Sequence, residues 1–488
     1  MTRKYRFNLK QGIFLVLVAA AGLSGCKKYL DVNQNPNNPS SVDPTLLLPT
    51  TEAALSQVMG NAFQVPGNIW AEYWTQNPVA SQYRNFEQYN PAPTTFDNPW
   101  LNLYSVALVN ADLIIKNTAS PDNLKGIAYL MKAYGFQVAT DAFGSVPLSQ
   151  ALQPTVYINP KFEAQQTVYD SVFMYVSKAL PLLNAPPPVT LKTQDIIFQG
   201  NSAQWIAFAN TLELRAYLRL SKADPAGAEA GIKALYATNP TFLTEDATIT
   251  YSSTGGNDNP FFNEEVALGK VQNVVASSTI VNAMTNNNDP RLAKLFVLYT
   301  NSTDSLESIP QGSFQFYPEK IVSPPSPLVG AKANDPSSAT APVKLLSAVE
   351  SYFLQAEAVA RGWGTGSVTA LYTAGITASF AATGAGDPST YISTAPDGLQ
   401  ALTAAITVDD MVKAIITQKY YAMCGFQGFE AWTEWRRTGY PNFLVPSAGT
   451  VIAPGELPLR MPYPNSELTS NSNFPGLIPI YTPVWWGM

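Results

Sequence analysis

The chain has 488 residues, of which 46% are hydrophobic and 13% charged, so it carries enough apolar material for a large buried core and is not a disordered protein. It contains no histidine, which excludes Ser-His-Asp and Cys-His catalysis and histidine-ligated metals. Its formal net charge is −6 and it has no long run of Lys and Arg, so the charge pattern of a nucleic-acid-binding protein is absent.

The first 25 residues have the composition of a secretion signal. Basic side chains between Arg3 and Lys10 precede an apolar stretch over residues 13–23, which is too short to cross a bilayer but has the length of a signal's apolar region. The stretch ends in the sequence LSGC at residues 23–26, and a cysteine directly after small residues is typical of a lipoprotein cleavage site. We therefore predict a signal peptide over 1–25 and an acylated Cys26 that anchors the protein to a membrane. The alternatives are an ordinary secreted protein with a chance cysteine and a short anchor helix.

Residues 26–44 are predicted to form a flexible tether, because they are rich in Asn, Pro and Ser and hold too little apolar surface to fold alone. The remaining residues, 45–488, form the predicted body. The only cysteine in this body is Cys424, which is predicted to be a small buried apolar side chain without a catalytic role.

Apolar residues at helical spacing predict most of the body to be α-helical. Thr407 and Asp410 resemble a capping box at the start of the last predicted helix. The predicted helices span residues 45–59, 99–118, 122–141, 165–183, 203–222, 345–361, 367–382 and 408–423. Residues 240–340 and 383–403 are predicted to be loop-rich insertions, and the prolines of 437–488 exclude long helices there. The fold class predicted is mainly α, with tetratricopeptide-like helix hairpins forming a scaffold and large irregular loop insertions.

Two carboxylates, Glu430 and Glu434, are candidates for hydrolytic chemistry because they would share one face of a helix. Glycoside hydrolysis does use paired carboxylates, but they must face each other across the sugar ring. Neighbours on one helix face project side by side, and Arg436 and Arg437 are close in the sequence. We therefore predict ion pairing at these positions and no enzymatic activity.

An oxygen-rich run at residues 256–259, followed by Glu264 and Glu265, raises the question of a Ca²⁺ site. It lacks the regular twelve-residue spacing of an EF-hand loop, so a polar turn is the favoured interpretation. No cofactor is predicted.

Residues 70–104 combine many aromatic rings with many side-chain amides. Flat rings pack on the C–H faces of sugars, amides hydrogen-bond to sugar hydroxyls, and rigid aromatics give contact area at low entropic cost. The segment is therefore a candidate ligand platform, although several of its rings could instead pack beneath helices as core. The candidate ligand-binding residues are Trp74, Gln76, Tyr83, Tyr89, Asn98 and Trp100.

Six short stretches, in order along the chain, resemble motifs of the SusD/RagB family of nutrient-binding outer-membrane lipoproteins, in its SusD-like branch. These stretches are CKKYLD at 26–31, DAFGSVP at 141–147, NDPR at 288–291, ESYFLQAEA at 350–358, QKY at 418–420 together with EAWTEWRRTGYP at 430–441, and RMPYPNSE at 460–467. Each stretch alone is weakly specific, but their shared order makes the resemblance strong.

The resemblance implies an α-helical body of about four tetratricopeptide-like hairpins, anchored by lipid to the outer membrane at the cell surface. It implies a protein without enzymatic activity that captures oligosaccharides and delivers them to a SusC-like TonB-dependent β-barrel transporter. It also implies that Glu350, Glu357, Arg436 and Arg460 serve the scaffold, because the family's motifs cluster there.

Other functions remain open at this point. The protein could be the peptide-binding lid of a peptide importer, although the low charge content favours sugars. A surface glycoside hydrolase would show turnover that is lost on replacing one carboxylate. A purely structural helical scaffold would bind a protein partner and no small molecule.

Overall fold

The computed structural model describes residues 43–186, 189–298 and 305–487. The predicted signal peptide, the lipidation site Cys26 and nearly all of the predicted tether lie outside the described residues. The fold described below is that of the unit Pro44–Met488. Within its described residues, no helix is both long and apolar enough to cross a membrane.

The body is mainly helical, as predicted. Its α-helices are α1 (Leu47–Gln57), α2 (Gln64–Trp70), α3 (Arg84–Glu87), α4 (Asp97–Leu101), α5 (Val109–Lys116), α6 (Asp122–Phe143), α7 (Gln165–Leu183), α8 (Ser202–Arg219), α9 (Pro225–Ala237), α10 (Pro260–Ala267), α11 (Ser278–Asn286), α12 (Leu292–Leu295), α13 (Ala348–Ala360), α14 (Val368–Thr383), α15 (Ser389–Thr394), α16 (Leu399–Thr403), α17 (Val408–Met423), α18 (Gly428–Thr438) and α19 (Asn465–Ser470). Short 3₁₀ turns occupy Pro44–Leu46, Pro93–Phe96, Phe314–Phe316, Pro327–Val329 and Pro336–Thr340.

The long helices begin and end close to their predicted bounds because local signals define them. Helix α7 covers the predicted residues, and α17 starts at the predicted capping box, in which the Thr407 and Asp410 side chains each accept a hydrogen bond from the other's backbone N–H. The Ser347 and Ser367 side chains cap α13 and α14 in the same region. Helices α2 and α9 were not predicted, and glycine and proline within them explain why their apolar pattern is weak.

Two π-helical segments correct the prediction of continuous α-helix: one follows the helix predicted over 45–59 at its end, and the other interrupts the helix predicted over 99–118. The first, Val58–Ala62, follows α1 directly, and the second, Asn102–Leu108, joins α4 to α5. A π segment inserts extra backbone into a helix and is frequent at functional sites. In the first segment, a Cβ added at Gly60 would lie 2.3 Å from Val343 Cγ2, so the close approach of that chain requires glycine.

Consecutive helices pack against each other as hairpins, most extensively α6 with α7 and α13 with α14. One apolar core runs from Leu48 to Trp486 through most of the body. A second core joins α13 and α14 to the short helices α15 and α16 and to α17. The helices thus bury one continuous face against their neighbours, which is how repeat-like hairpins gain stability.

The described residues contain three two-stranded antiparallel sheets, two of which join the predicted 240–340 insertion to the rest of the body. Strand β1 (Trp74–Gln76) pairs with β5 (Val274–Ala276), with Trp74 opposite Ala276 and Gln76 opposite Val274. Strand β2 (Val146–Pro147) pairs with β3 (Phe162–Glu163), and β4 (Ala247–Ile249) pairs with β6 (Val343–Leu346). The pairing of β1 with β5 places part of the 240–340 insertion beside the aromatic segment of residues 70–104.

Candidate ligand-binding cleft

Glu430 and Glu434, the carboxylates considered for hydrolysis, are buried in a network of ion pairs. Arg219 Nη2 lies 2.6 Å from Glu430 Oε1, and Arg219 Nη1 also pairs with Glu434. Arg437 Nη2 lies 2.6 Å from Glu434 Oε2 and 2.6 Å from Glu357 Oε2. Both carboxylates are less than 5% exposed, at 4% and 3%. The predicted ion pairing is confirmed for Arg437, whereas Arg436, within the described ranges, makes no ion pair and donates to the Asp141 and Leu459 carbonyls. Both carboxylates are enclosed by protein in this conformation.

The electrostatics of Glu434 agree with a structural role. Burial alone would raise the pKa of this carboxyl, but the charges of Arg437, Lys419 and Arg219 outweigh burial and hold the pKa well below its usual range. A carboxylate that stays ionised cannot donate a proton to a leaving group, and the burial of Glu434 leaves no room for a sugar beside it.

All four rings predicted for the ligand platform are buried in the core. Trp74 is 0% exposed and stacks on Phe261 with 5.7 Å between ring centroids. The Trp100 ring packs against the Tyr104 ring with 4.5 Å between ring centroids, and Trp100 Nε1 donates a hydrogen bond to Glu467 Oε1 at 3.0 Å. These two rings therefore present no free face to a sugar in this structure.

Tyr89 and Gln76 are likewise occupied by protein contacts. The Tyr89 hydroxyl accepts a hydrogen bond from the Ser447 N–H at 2.8 Å. The Gln76 side chain accepts from the Tyr83 N–H at 2.7 Å and donates to the Asn273 carbonyl at 3.1 Å. These contacts stabilise the loop. In this conformation the side chains of Trp74, Gln76, Tyr89 and Trp100 are thus occupied by protein contacts and are not available to a ligand.

The other two predicted residues, Tyr83 and Asn98, line one cleft of about 350 Å³, which lies within the range of small-ligand sites. Tyr83 is buried and contributes its edge, whereas Asn98 is exposed at the mouth. Phe86 and Pro99 add apolar surface beside them. We call this site the amide cleft after the six side-chain amides that line it: Gln57, Asn61, Gln82, Asn85, Asn98 and Asn102.

Asn61 gives the amide cleft an unsatisfied acceptor. The side chain is 9% exposed, and its Oδ1 has no hydrogen-bond partner among the described residues. A buried polar atom without a partner costs free energy, and native proteins rarely keep one without a reason. The oxygen itself is almost fully buried, so a ligand hydroxyl would reach it once the Asn61 amide turns toward the cleft.

Each of the two π-helical segments contributes one amide to the lining. Asn61 belongs to Val58–Ala62, and Asn102 is the first residue of Asn102–Leu108. Neither residue was predicted from the sequence, because the register of a π segment depends on tertiary contacts such as the one at Gly60. Weak helix formers, Gly60 and Asn61, were the one local signal of an irregular turn.

The lining of the amide cleft also includes Glu264, from the segment considered for Ca²⁺. Tyr83 donates its hydroxyl proton to Glu264 Oε1 at 2.7 Å and also lies 3.2 Å from Glu265 Oε1. Burial raises the pKa of Glu265 to about 7, against hydrogen bonds from Asn273 and Tyr83 that lower it. Across the described ranges, no three His, Cys, Asp or Glu side chains are grouped closely enough to hold a metal ion.

A larger but shallower groove of about 1030 Å³ runs along α14. Its lining is dominated by the methyl groups and hydroxyls of alanines and threonines of that helix, among them Ala370, Thr373 and Thr377. It has no convergent amides and no aromatic ring except that of Tyr352, so its chemistry is less suited to sugar recognition than that of the amide cleft.

The chain matches the family model SusD-like, described as "Starch-binding associating with outer membrane", over residues 36–464. It therefore belongs to the SusD-like family, as its motifs predicted. No curated protein matches the chain.

Solved structures agree on the fold. A chitin-binding SusD homologue from Flavobacterium johnsoniae is 24% identical, with a TM-score of 0.75 over 90% of this chain and 97% of that one. SusD homologues from Bacteroides uniformis (24% identical, TM-score 0.74, 92% and 100% covered) and Bacteroides vulgatus (23% identical, TM-score 0.73, 87% and 92% covered) are similar to it as well. At these identities the likeness establishes the mainly helical fold.

Proposed function

We propose that this protein is a lipid-anchored outer-membrane protein of the cell surface that binds oligosaccharides without cleaving them and delivers them to a SusC-like TonB-dependent transporter. The observation that carries the binding role is the amide cleft, with six amides, two aromatic side chains and the unpartnered Asn61 Oδ1. Membership of a family described as starch-binding and outer-membrane-associated supports the class of ligand and the location.

The cleft suits neutral sugars better than it suits peptides or catalysis. Amides both donate and accept, which matches the hydroxyls of a sugar. The cleft holds one carboxylate, Glu264, and no cation, so it offers neither facing carboxylates for hydrolysis nor a charge partner for a peptide carboxylate. Chitin binding by one structural relative makes N-acetylated sugars the first ligands to test beside starch fragments.

The binding role is tested by calorimetric titration of the full chain in detergent with maltooligosaccharides, chitooligosaccharides and a peptide panel. Asn98→Ala is the test variant, because Asn98 is exposed at the cleft mouth and its loss leaves the core intact. Asn282→Ala, at an exposed position in α11 outside the cleft, is the matched control. We expect saturable sugar binding that Asn98→Ala weakens by about fivefold to tenfold, as for loss of one hydrogen bond of about 1 kcal/mol, and that the control leaves unchanged.

Two results would count against the proposal. Binding of peptides alone would change the substrate class. Sugar binding that Asn98→Ala leaves unaltered would move the site to the 240–340 insertion, where Phe316 is 71% exposed and Tyr317 38% exposed. Delivery is tested separately, by asking whether the protein co-purifies from outer membranes with a TonB-dependent barrel; its absence from such complexes would refute the transporter role.

A further inference from the structure

A second cleft, of about 310 Å³, lies where the C-terminal tail crosses the start of α7. It shares no lining residue with the amide cleft. Its walls include Arg460, the exposed Gln166 and the half-exposed ring of Trp485, which is 40% exposed. We call it the Arg460 cleft.

Arg460 is a buried cation without an acidic partner. The residue is 5% exposed, and among the described residues no carboxylate lies within ion-pair distance of it. Nη2 donates to the Phe143 carbonyl, and Nε has no hydrogen-bond partner. Burial lowers the pKa of this guanidinium, with the Tyr463 hydroxyl acting in the opposite direction. A buried charge in this state is costly unless an anion accompanies it.

The backbone is shaped to hold the guanidinium at this place. Gly144 has φ +91°, and a Cβ added there would lie 2.2 Å from Arg460 Nη2. Glycine is thus required both by the turn and by the guanidinium packed against it. On the other side, the Trp485 N–H donates to the Gln165 side chain and holds the tail against α7.

The start of α7 adds a second positive feature to the same cleft. Ala164 at the N-cap offers no side-chain acceptor, and the first turn contains no acidic residue. The first N–H groups of a helix have no partner within it, and the dipole of a 19-residue helix favours an anion at this end. The preceding acid, Glu163, is held instead by the Ser149 N–H at 2.9 Å and by the Ser149 hydroxyl, and it does not line the cleft.

The apolar side chains of the cleft favour an organic acid over a simple inorganic ion as the ligand. The Trp485 ring, Ile478, Pro483 and Val484 line the same cleft as Arg460, so the cleft offers both a cation and a flat apolar surface. A pyranose that carries a carboxylate matches both: its carboxylate meets Arg460 and the α7 amides, and its C–H face packs on the ring. We propose that the Arg460 cleft binds an acidic sugar of the hexuronate class. This inference extends the proposed glycan-binding role to a charged ligand at a separate site.

The test is titration of the full chain in detergent with glucuronate and, as the neutral analogue, glucose. The key variant is Gln166→Glu, which places a carboxylate at the cleft mouth, and Gln166→Ala is the matched control without charge. We expect glucuronate to bind and glucose not to bind. Gln166→Glu should weaken glucuronate at least about fivefold through repulsion between like charges, whereas Gln166→Ala should keep the affinity within about twofold.

The variant also controls for folding. An acid in the first turn of α7 complements the helix dipole, so the melting temperature of Gln166→Glu should stay the same or rise. Equal binding of glucose and glucuronate, or unchanged glucuronate affinity in Gln166→Glu, would overturn the proposal. Inorganic sulfate that binds as tightly as glucuronate, with Trp485→Ala without effect, would overturn the sugar assignment. Neutral oligosaccharide binding at the amide cleft should be unaffected by Gln166→Glu, so failure at one cleft is distinguishable from failure at the other.

Discussion

Replacing Arg219 with methionine should destabilise the protein more than almost any other single change in the ionic network. The side chain is 0% exposed and stands between three carboxylates. Nη2 lies 2.6 Å from Glu430 Oε1, Nη1 pairs with Glu434, and Nε lies 3.3 Å from Asp141 Oδ2. Methionine preserves much of the apolar volume, so the loss is chiefly that of the positive charge.

Removing one partner of a buried ion pair costs about 3–5 kcal/mol, because the remaining charge is left uncompensated. Glu434 keeps its ion pair with Arg437 in Arg219→Met, but Glu430 and Asp141 lose their nearest cation, so we expect a cost within that range. Typical domains are stable by about 5–15 kcal/mol, so the variant should lose a large share of its stability.

Arg361→Met is the matched control. Arg361 Nη2 lies 2.8 Å from Glu357 Oε1, but its side chain is 19% exposed, and Glu357 keeps its ion pair with Arg437 at 2.6 Å. Because Glu357 stays paired, we expect Arg361→Met to lower the free energy of unfolding by about 1 kcal/mol or less.

The assay is urea unfolding of both variants and the parent, followed by circular dichroism at pH 8 and pH 5. The cost of Arg219→Met in free energy of unfolding should shrink at pH 5. Burial already raises the pKa of Asp141, and the loss of the Arg219 charge raises it further, so this carboxylate takes up a proton more readily. A cost for Arg219→Met no larger than that for Arg361→Met would refute the account of the network.

Three further predictions concern other parts of the chain. Burial raises the pKa of Glu87 to about 7, so between about pH 4.5 and pH 7 the folded state holds a proton that the unfolded state has lost. The free energy of unfolding should therefore fall by about 3 kcal/mol as pH rises through that range. Glu87→Gln should remove this part of the pH dependence in urea titrations. Gly67→Ala should lower the free energy of unfolding by at least about 1–3 kcal/mol, because its Cβ would lie 2.3 Å from the Phe429 backbone nitrogen, whereas Gly255→Ala meets nothing within 4 Å and should be neutral in the same thermal melts. Cys26→Ser should release the protein from the membrane fraction and abolish its labelling by palmitate; retention of both would contradict the lipid anchor.

The long helices and the Glu434–Arg437 ion pair could be predicted because their signals are local. Helix α7 is defined by its apolar spacing and α17 by its capping box, and Glu434 stands three residues before Arg437, with which it pairs. The order of six motifs along the chain also predicted the family. None of these inferences needed knowledge of contacts between distant residues.

The candidate site was predicted only in part because its residues are selected by distant contacts. Trp74 is buried because β1 pairs with β5, about 200 residues further along the chain, and brings the ring onto Phe261. Asn61 lines the cleft because a π segment turns it there. Composition indicated a segment rich in rings and amides, but it could not separate the rings that form the core from the amides that remain free.

The most direct measurement of the central claim is a crystal structure of the protein with the tightest-binding neutral oligosaccharide of the calorimetric panel. We predict density for the sugar in the amide cleft, with a hydroxyl within hydrogen-bond distance of Asn61 Oδ1 and further contacts to Asn98 and Asn102. Sugar density elsewhere, with the amide cleft empty, would contradict the account.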